Sequence, residues 1–411
     1  MRELFSGRRG RVAAGLLVAE FVAATQGLVI AAIMPRVVAD LHGLAAYPLA
    51  FGSLFAAFFF VLPFAGPWAD RYGTRRMLAI ALGVLALGLG LVAIAPNMAA
   101  FAGARFVEGI GDGIDFAVSF AIVAKTFPDP LRARMFALTS AAWVVPAIVG
   151  PGLGAYVAGV AGWRWVFAGF LPLIAVAAGL ILPALDSRPS DRRGDVWGAL
   201  RLLFSRATLR ASAGMHAAFV AFGLLHAAFF GADAYVALML TEVRGMSLQL
   251  ASVCITLGAV GWSVAAILAP ALLGRFGRAR VVFAGATACL AGALSLLAVA
   301  LGAPVALAFA GCLISGAGIG LGYPTLSVVT LGFSNDGDEG AVSSAALLAA
   351  IGGIIAGVLA CGASLAVAAR TGLPLQAALA YTFAVSALFA TALAVVSPRI
   401  NPRSVRDRTL P

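Results

Sequence analysis

Residues 69–76, ADRYGTRR, and residues 274–280, GRFGRAR, decide the architecture of this chain because they are two copies of one basic loop. Three residues of the first copy recur 204 positions later: Arg71, Gly73 and Arg76 match Arg275, Gly277 and Arg280. A glycine ladder recurs 207 positions apart, with Gly109, Gly111 and Gly113 matching Gly316, Gly318 and Gly320. This repetition predicts two related halves.

The segments between these loops are too apolar for a water-soluble fold. Hydrophobic residues make up 62% of the 411 residues and charged residues only 11%, against about 25% charged residues in soluble domains. A bilayer accepts such segments, since its core of about 30 Å takes about 20 apolar residues per helix. We therefore predict an all-α integral membrane protein with twelve transmembrane helices in two pseudo-symmetric six-helix halves. The predicted spans are 12–34, 46–65, 77–95, 99–124, 136–159, 165–183, 211–234, 247–272, 281–300, 304–330, 341–367 and 374–396.

One long polar insertion lies near the midpoint and separates the predicted halves. The sequence divides into a six-helix half at 1–183, a linker at 184–210, a second six-helix half at 211–396 and a tail at 397–411. The charged N-terminus and the apolar run behind it are similar to a signal peptide, but the run continues past Glu20 to about Met34. We interpret this segment as an uncleaved first helix.

The basic residues predict the orientation. If the N-terminus is cytoplasmic, 23 of the 28 Lys and Arg residues fall in inner segments, and one, Arg105, lies within a span. The outer loops hold the remaining four: Arg36, Arg164, Arg244 and Arg370. This bias predicts a multi-pass protein of the inner (plasma) membrane with both termini, and the linker and tail, in the cytoplasm. It also accounts for the net charge of +11 better than nucleic-acid binding does.

The fourth predicted span carries a stripe of ionisable residues. Arg105, Glu108, Asp112 and Asp115 fall within an arc of about 80° on one helix face, with Gly109 and Gly113 to one side, suited to close packing. Each charge at the bilayer centre costs about 2.5–3.5 kcal/mol, so the stripe cannot face lipid. It must line an aqueous cavity or pair internally, as Arg105 can with Glu108 one turn away. One arginine cannot neutralise three carboxylates, so we expect at least one acid to exchange protons; the alternative is a static buried ion network.

Three motifs resemble those of the major facilitator superfamily, and more narrowly its drug:proton antiporter branch. The loop Gly66-Pro-Trp-Ala-Asp70-Arg71-Tyr-Gly73-Thr-Arg75-Arg76 is similar to the superfamily's loop signature, and Arg105-Phe-Val-Glu108-Gly109-Ile-Gly111 to its intramembrane arginine motif. Val149-Gly150-Pro151-Gly152-Leu-Gly154 resembles the antiporter motif, although Pro146 stands where small residues are usual. The acid common near the end of span one in long drug exporters is replaced by Thr25-Gln26. The resemblance covers essentially the whole chain.

Each motif also has a physical interpretation. Asp70 is predicted to act as a charge latch by pairing with a helix N-terminus or with Arg71, Arg75 or Arg76. The alternative is an ordinary basic loop that turns at Gly73. In span five, Gly150 and Gly154 have no side chain, which allows close helix contact. Pro151 has no backbone N–H to donate, which allows a kink. These three residues serve either as a functional hinge or for packing alone.

A proton and cationic-substrate site is expected around span four. Glu20 in span one should lie at a depth similar to that of Asp112, so we place both in the site with Glu108, and Arg105 adjusts their protonation. Asp115 and Gln26 are further candidates. In span seven, His226 and Asp233 share a face about 100° wide with His216. His226 either titrates near neutral pH or only packs, and Asp233 is either a solvated gate contact or a substrate ligand.

These features predict a proton-coupled secondary transporter that exports amphipathic or cationic small molecules by alternating access, as in multidrug efflux antiport. The alternatives are an exporter or flippase of a lipid-like or other specific metabolite, and a proton-coupled uptake symporter. No GxxxxGK[ST] motif occurs, so ATP is not the expected direct energy source. The short outer loops lack catalytic constellations, which disfavours an enzyme, and a non-transporting scaffold is also disfavoured. The expected partners are a small-molecule substrate, protons and the lipid bilayer, with no cofactor, metal or nucleic acid, and the expected state is a monomer.

Overall fold

The computed structural model describes residues 3–185, 196–334 and 339–400, which are helical almost throughout and contain no strand. Fifteen α-helices occur within these ranges: α1 Gly7–Leu41, α2 Tyr47–Tyr72, α3 Thr74–Ala93, α4 Met98–Thr126, α5 Asp129–Val160, α6 Trp163–Ala168, α7 Phe170–Ile181, α8 Val196–Leu203, α9 Arg206–Leu209, α10 Met215–Leu238, α11 Leu248–Phe276, α12 Arg278–Ala300, α13 Ala306–Leu331, α14 Glu339–Thr371 and α15 Leu375–Val396.

Eleven helical segments of the described chain are long and apolar enough to cross a membrane. Helix α4 has 29 residues but is not among the eleven, because its four ionisable residues interrupt the apolar run. The predicted all-α membrane fold is confirmed. The predicted total of twelve spans depends on α4 and stays a prediction.

The ends of the helices differ from the ends of the apolar runs from which the spans were predicted. The first predicted span, 12–34, lies inside α1, which continues through Pro35 to Leu41. The predicted start of the seventh span, 211–234, is wrong, because α10 begins only at Met215. At its other end, four more residues of α10 and a π-helical turn at Met239–Val243 follow the predicted span. Hydropathy locates the stretch that suits hydrocarbon, whereas the backbone continues its hydrogen bonds beyond that stretch. The sixth predicted span is divided into α6 and α7 at Gly169.

The chain forms two compact units. The first comprises Met1–Val196 with Ser247–Thr256, and the second comprises Trp197–Met246 with Leu257–Pro411. The predicted domain boundaries around the linker 184–210 stay a prediction. Residues 186–195 of that linker and 401–411 of the predicted tail lie outside the described residues.

In the first unit, glycines let α4 pack tightly between α2 and α3. A Cβ atom added at Gly109 would overlap the backbone of Leu54 in α2, and one at Gly111 would overlap the backbone of Leu85 in α3. At Gly113 a Cβ would lie 3.3 Å from the Cα of Phe58, again in α2. The predicted close packing of this glycine face is therefore confirmed.

The second unit repeats this arrangement in α13. A Cβ at Gly316 would overlap the backbone of Gly258 in α11, and one at Gly318 would lie 2.6 Å from the carbonyl oxygen of Gly285 in α12. The repeated loops also agree, since Gly73 and Gly277 both precede a helix with positive φ, +85° and +81°. The sequence repeat is thus also a repeat of backbone conformation and helix packing.

Candidate functional site

The ionisable stripe of α4 is buried within the first unit. Helix α4 begins after Asn97, whose side-chain oxygen accepts a hydrogen bond from the backbone N–H of Ala100 at 2.8 Å. Two turns further on, the side chain of Arg105 is 1% exposed and that of Glu108 is 0% exposed. Asp112 and Asp115 are also buried. The stripe therefore faces protein and not lipid.

Arg105 and Gln26 organise the stripe into a network. Nη1 of Arg105 donates to Oε1 of Glu108 and to Oε1 of Gln26, both at 2.8 Å. Nε2 of Gln26 then donates to Oδ2 of Asp112 at 2.6 Å. The Gln26 amide therefore bridges the arginine of α4 and a carboxylate one helical turn beyond Glu108. The predicted Arg105–Glu108 pair is confirmed.

Three polar atoms of this network have no hydrogen-bond partner among the described residues. They are Nε of Arg105, Oε2 of Glu108 and Oδ1 of Asp112, and all three are buried. A buried polar atom without a partner costs about 1–3 kcal/mol. Each of the two carboxyl groups has a free oxygen that can take a proton without breaking the bonds already made. The arrangement can therefore bind protons or a polar ligand.

Glu20 and Asp115 form the next layer of the site. Nε1 of Trp143 in α5 donates to Oε2 of Glu20 at 3.0 Å, and Oγ of Ser119 donates to Oδ1 of Asp115 at 3.4 Å.

The hydrogen bond between Gln26 and Asp112 corrects the predicted depth of Glu20. Gln26 is the α1 residue that meets Asp112, and Glu20 lies six residues earlier on α1, about 9 Å along the helix axis. Glu20 was predicted to lie as deep in the membrane as Asp112 because of its position within the predicted span. The boundaries of a span do not determine which residues of two neighbouring helices lie side by side. Glu20 consequently lies at a different depth from Asp112 and has Trp143 as its partner.

The predicted arginine partners of Asp70 are wrong, whereas pairing with a helix N-terminus stays a prediction. Oδ1 of Asp70 pairs with Nζ of Lys125 at 3.2 Å, which joins the end of α2 to the last turn of α4. The guanidinium groups of Arg71 and Arg76 lie 5.3 and 5.9 Å from the centre of the Tyr72 ring. The sequence places arginines close to Asp70 along the chain, but Arg71 and Arg76 lie over the ring of Tyr72 instead.

The glycines of the α5 motif face α1. A Cβ at Gly150 would lie 3.5 Å from Val29 and 3.6 Å from Thr25, and one at Gly154 would overlap Val29. Both Pro146 and Pro151 lie inside the continuous helix α5. The predicted close contact is confirmed, and a hinge at Pro151 stays a prediction.

His226 and Asp233 belong to the second unit. Nδ1 of His226 donates to the carbonyl oxygen of Phe222 at 2.8 Å, and its ring stacks on Phe222 and Phe230. This geometry favours packing over titration. Asp233 is half-buried, and in the described part of the chain it has neither a hydrogen bond nor an ion pair. His216, on the same helix, pairs with Oγ1 of Thr208 at 2.8 Å.

Sequence reasoning missed several residues of the first unit that contact the predicted site residues or connect helix ends. Trp143 donates a hydrogen bond to Glu20, and Lys125 forms an ion pair with Asp70. The centre of the Phe167 ring lies 6.0 Å from the Arg105 guanidinium. A second cluster ties helix ends together: Oδ2 of Asp40 accepts from Nε1 of Trp163 at 3.1 Å and from Nη1 of Arg164 at 2.5 Å. The motif Gly-Trp-Arg-Trp-Val-Phe at 162–167 was a signal for three of these contacts, since it supplies Trp163, Arg164 and Phe167.

Long apolar helices that bury a polar network on one glycine-rich helix define an integral membrane transporter. The family comparison agrees: the model of the Major Facilitator Superfamily matches residues 16–358. The chain belongs to this superfamily. It is a multi-pass membrane protein of a family of transporters and not of enzymes.

Two curated relatives are named for multidrug resistance. The chain is 35% identical over 145 residues to the "Multidrug resistance protein B homolog" of Mycobacterium tuberculosis, covering 34% of this chain and 27% of the relative. It is 28% identical over 196 residues to "Multidrug resistance protein 3" of Bacillus subtilis, covering 47% of this chain and 38% of the relative. The matches thus span well under half the length of these relatives.

Solved structures with the same fold match nearly the whole chain. A bacterial homologue of the human lysosomal transporter Spinster, in an inward-facing and occupied conformation, gives a TM-score of 0.75 at 16% identity over 99% of both chains. A D-xylose–proton symporter gives 0.73 at 16% identity over 97% of this chain and 99% of the other. At this identity the likeness concerns the fold alone.

Proposed function

We propose that the protein is a proton-coupled antiporter that exports amphipathic or cationic small molecules by alternating access. The observation that carries the proposal is a buried helix face on which three acids share a single arginine that pairs directly with only one of them. Arg105 reaches Glu108 directly and Asp112 only through Gln26, while Asp115 has no basic partner among the described residues. Carboxylates buried without a cation bind protons readily, and this lets proton binding bias a conformational equilibrium.

The remaining features of the proposal concern placement in the membrane. The distribution of basic residues supports cytoplasmic N- and C-termini in the plasma membrane. The Asp70–Lys125 pair would then lie on the cytoplasmic face, where it is suited to act as the latch of the first unit. The proposed working unit is a monomer with protons and a small molecule as partners.

Export is favoured over uptake by the relatives. Those quoted above are named for multidrug resistance, and an acidic site suits cationic substrates. Cells that express the protein should accumulate less of a cationic dye than cells without it, and a protonophore should abolish the difference. Greater accumulation that a protonophore abolishes would instead indicate the uptake symporter, and lipid translocation without dye transport would indicate the flippase.

The coupling site is tested in proteoliposomes that contain the purified full chain. A pH gradient should drive dye transport by the unaltered protein, and Glu20→Gln or Asp112→Asn should abolish it. Dye exchange without a gradient separates loss of coupling from loss of the protein. Asp40→Asn is the matched control, because Asp40 is a half-exposed acid at the other end of α1. Unchanged gradient-driven transport by both Glu20→Gln and Asp112→Asn would reject the proposed site.

A further inference from the structure

A groove of the second unit lies beside the second copy of the basic loop. Its volume is about 270 Å³, and it lies where the C-terminal end of α11, the first turns of α12 and the middle of α13 meet. Five of its six lining residues are apolar and one is an arginine. They are Leu272, Phe276, Arg280, Val281, Ala284 and Leu321. The groove therefore combines walls that suit hydrocarbon with one positive charge.

The charge lies at the loop end of the groove and the apolar residues lie deeper. Arg280 is the third residue of α12, and Ala284 follows it one turn later, about 6 Å further along the helix axis. Phe276 is 45% exposed, and Arg280 and Ala284 are also exposed, so the groove is open to the surroundings of the chain. Hydrocarbon fills open apolar walls of this kind more favourably than water does.

Arg280 differs from its counterpart in the first copy of the loop. Arg71 and Arg275 each lie over the aromatic ring of the residue that follows, at 5.3 and 5.2 Å. Arg76 lies over the first of these rings as well, at 5.9 Å. Arg280 has no ring contact, hydrogen bond or ion pair in the described part of the chain, and it lines the groove instead. The repeat thus leaves the guanidinium of Arg280 available to a ligand.

The helices around the groove carry no negative charge of their own. Asp70 of the first loop copy is matched by Gly274, again 204 positions later. No Asp or Glu occurs between Glu242 and Asp336, a stretch that includes the whole of α11, α12 and α13. The N-terminus of α12 also has no capping side chain and no acid in its first turn. Both the arginine and the helix terminus favour an anion beside them.

We propose that this groove binds an anionic phospholipid, whose phosphate pairs with Arg280 and whose acyl chain lies along Phe276 and Ala284. A guanidinium binds a phosphate group through two parallel hydrogen bonds. Basic pockets between transmembrane helices are suited to anionic lipid headgroups. Each methylene group that the apolar walls remove from water adds to the affinity, which favours a lipid over a free phosphate ion. The site depends on neither the substrate nor the direction of transport.

Native mass spectrometry of the purified full chain in detergent tests the site by counting bound lipids. Phosphatidylglycerol, which is anionic, and phosphatidylcholine, which is zwitterionic, are titrated with identical acyl chains. The first phosphatidylglycerol should bind at least about fivefold more tightly, equivalent to about 1 kcal/mol, which is the contribution of one basic residue near an anionic lipid. Arg280→Gln should abolish this preference. Glycerol 3-phosphate, which has no acyl chain, should not displace the lipid.

Matched variants separate the groove from general attraction between a basic protein and lipid. Arg370→Gln removes another exposed arginine, at the end of α14, and should leave the preference unchanged. Ala284→Trp fills the groove and should weaken the first binding step of both lipids at least about threefold, because the indole excludes the acyl chain. Ala291→Trp adds the same ring at another exposed position of α12 and should not weaken it.

Three results would overturn the inference. Equal behaviour of Arg280→Gln and Arg370→Gln would show that net charge alone attracts the lipid. Equal behaviour of Ala284→Trp and Ala291→Trp would show that the acyl chain lies elsewhere. Displacement of the lipid by glycerol 3-phosphate would indicate a site for a free phosphate group. Because binding is measured without transport, failure of the proposed function would leave this site standing, and loss of the site would leave the proposed function standing.

Discussion

Replacing Arg105 with methionine tests the energetics of the buried network. Methionine keeps an unbranched side chain but removes the charge and the hydrogen bonds to Glu108 and Gln26, both 2.8 Å long. The side chains of Arg105 and Glu108 are 1% and 0% exposed, so water cannot replace the lost bonds. The variant therefore leaves Glu108 buried without its cation.

The expected cost is large because only one partner is removed. Deleting one member of a buried ion pair destabilises a protein by about 3–5 kcal/mol. The double variant Arg105→Met/Glu108→Gln removes both charges, so it should recover at least about 1 kcal/mol of that loss. The matched control is Lys125→Met, since the Asp70–Lys125 pair has side chains 26% and 41% exposed. An exposed pair of this kind contributes about 0–1 kcal/mol.

The free energy of unfolding is measured for all four proteins in mixed micelles with increasing denaturing detergent, followed by tryptophan fluorescence. We expect Arg105→Met to be the least stable and the double variant to lie between it and the unaltered protein. If Arg105→Met costs no more than Lys125→Met, or if the double variant is as unstable as the single, the network does not stabilise the first unit and the reasoning is refuted.

Three further predictions concern the first unit. Gly109→Ala should destabilise it by about 1–3 kcal/mol, because the new methyl group meets the Leu54 backbone; Gly103→Ala on the same helix, with open space around it, should change the unfolding free energy by no more than about 1 kcal/mol. Gly73→Ala should cost about 1–3 kcal/mol because of its positive φ, whereas Gly66→Ala should not, as thermal unfolding will measure. Gln26→Leu removes the bridge between Arg105 and Asp112 and should reduce proton-driven dye transport in proteoliposomes severalfold while the protein stays folded; full activity would contradict a role for the bridge.

Most of the fold could be predicted from the sequence because the bilayer imposes a simple rule. Apolar runs of about 20 residues become helices, and the predicted spans fall within or close to the observed helices. Helix ends could not be predicted this way. Hydropathy shows which residues suit the hydrocarbon core, whereas a helix ends where its backbone hydrogen bonds end. Helix α1 therefore exceeds its predicted span at both ends.

The candidate site could be predicted within one helix but not between helices. The period of α4 placed Arg105 one turn from Glu108, and this pair is present. Contacts between helices depend on register and rotation, which one helix's periodicity does not contain. Glu20 was therefore placed at the depth of Asp112, which Gln26 meets instead, and Lys125 and Trp143 were missed as partners of Asp70 and Glu20.

The internal repeat separates what α4 needs for packing from what it needs for function. The glycine ladder of α4 recurs in α13, and in both helices it allows close contact with two neighbours. The ionisable stripe does not recur: 207 positions after Arg105, Glu108, Asp112 and Asp115 stand Cys312, Ser315, Ile319 and Gly322. A helix with this ladder therefore packs without any charge on it. Burying four ionisable groups in α4 costs free energy that packing does not require, and this is the physical reason to assign the stripe to transport.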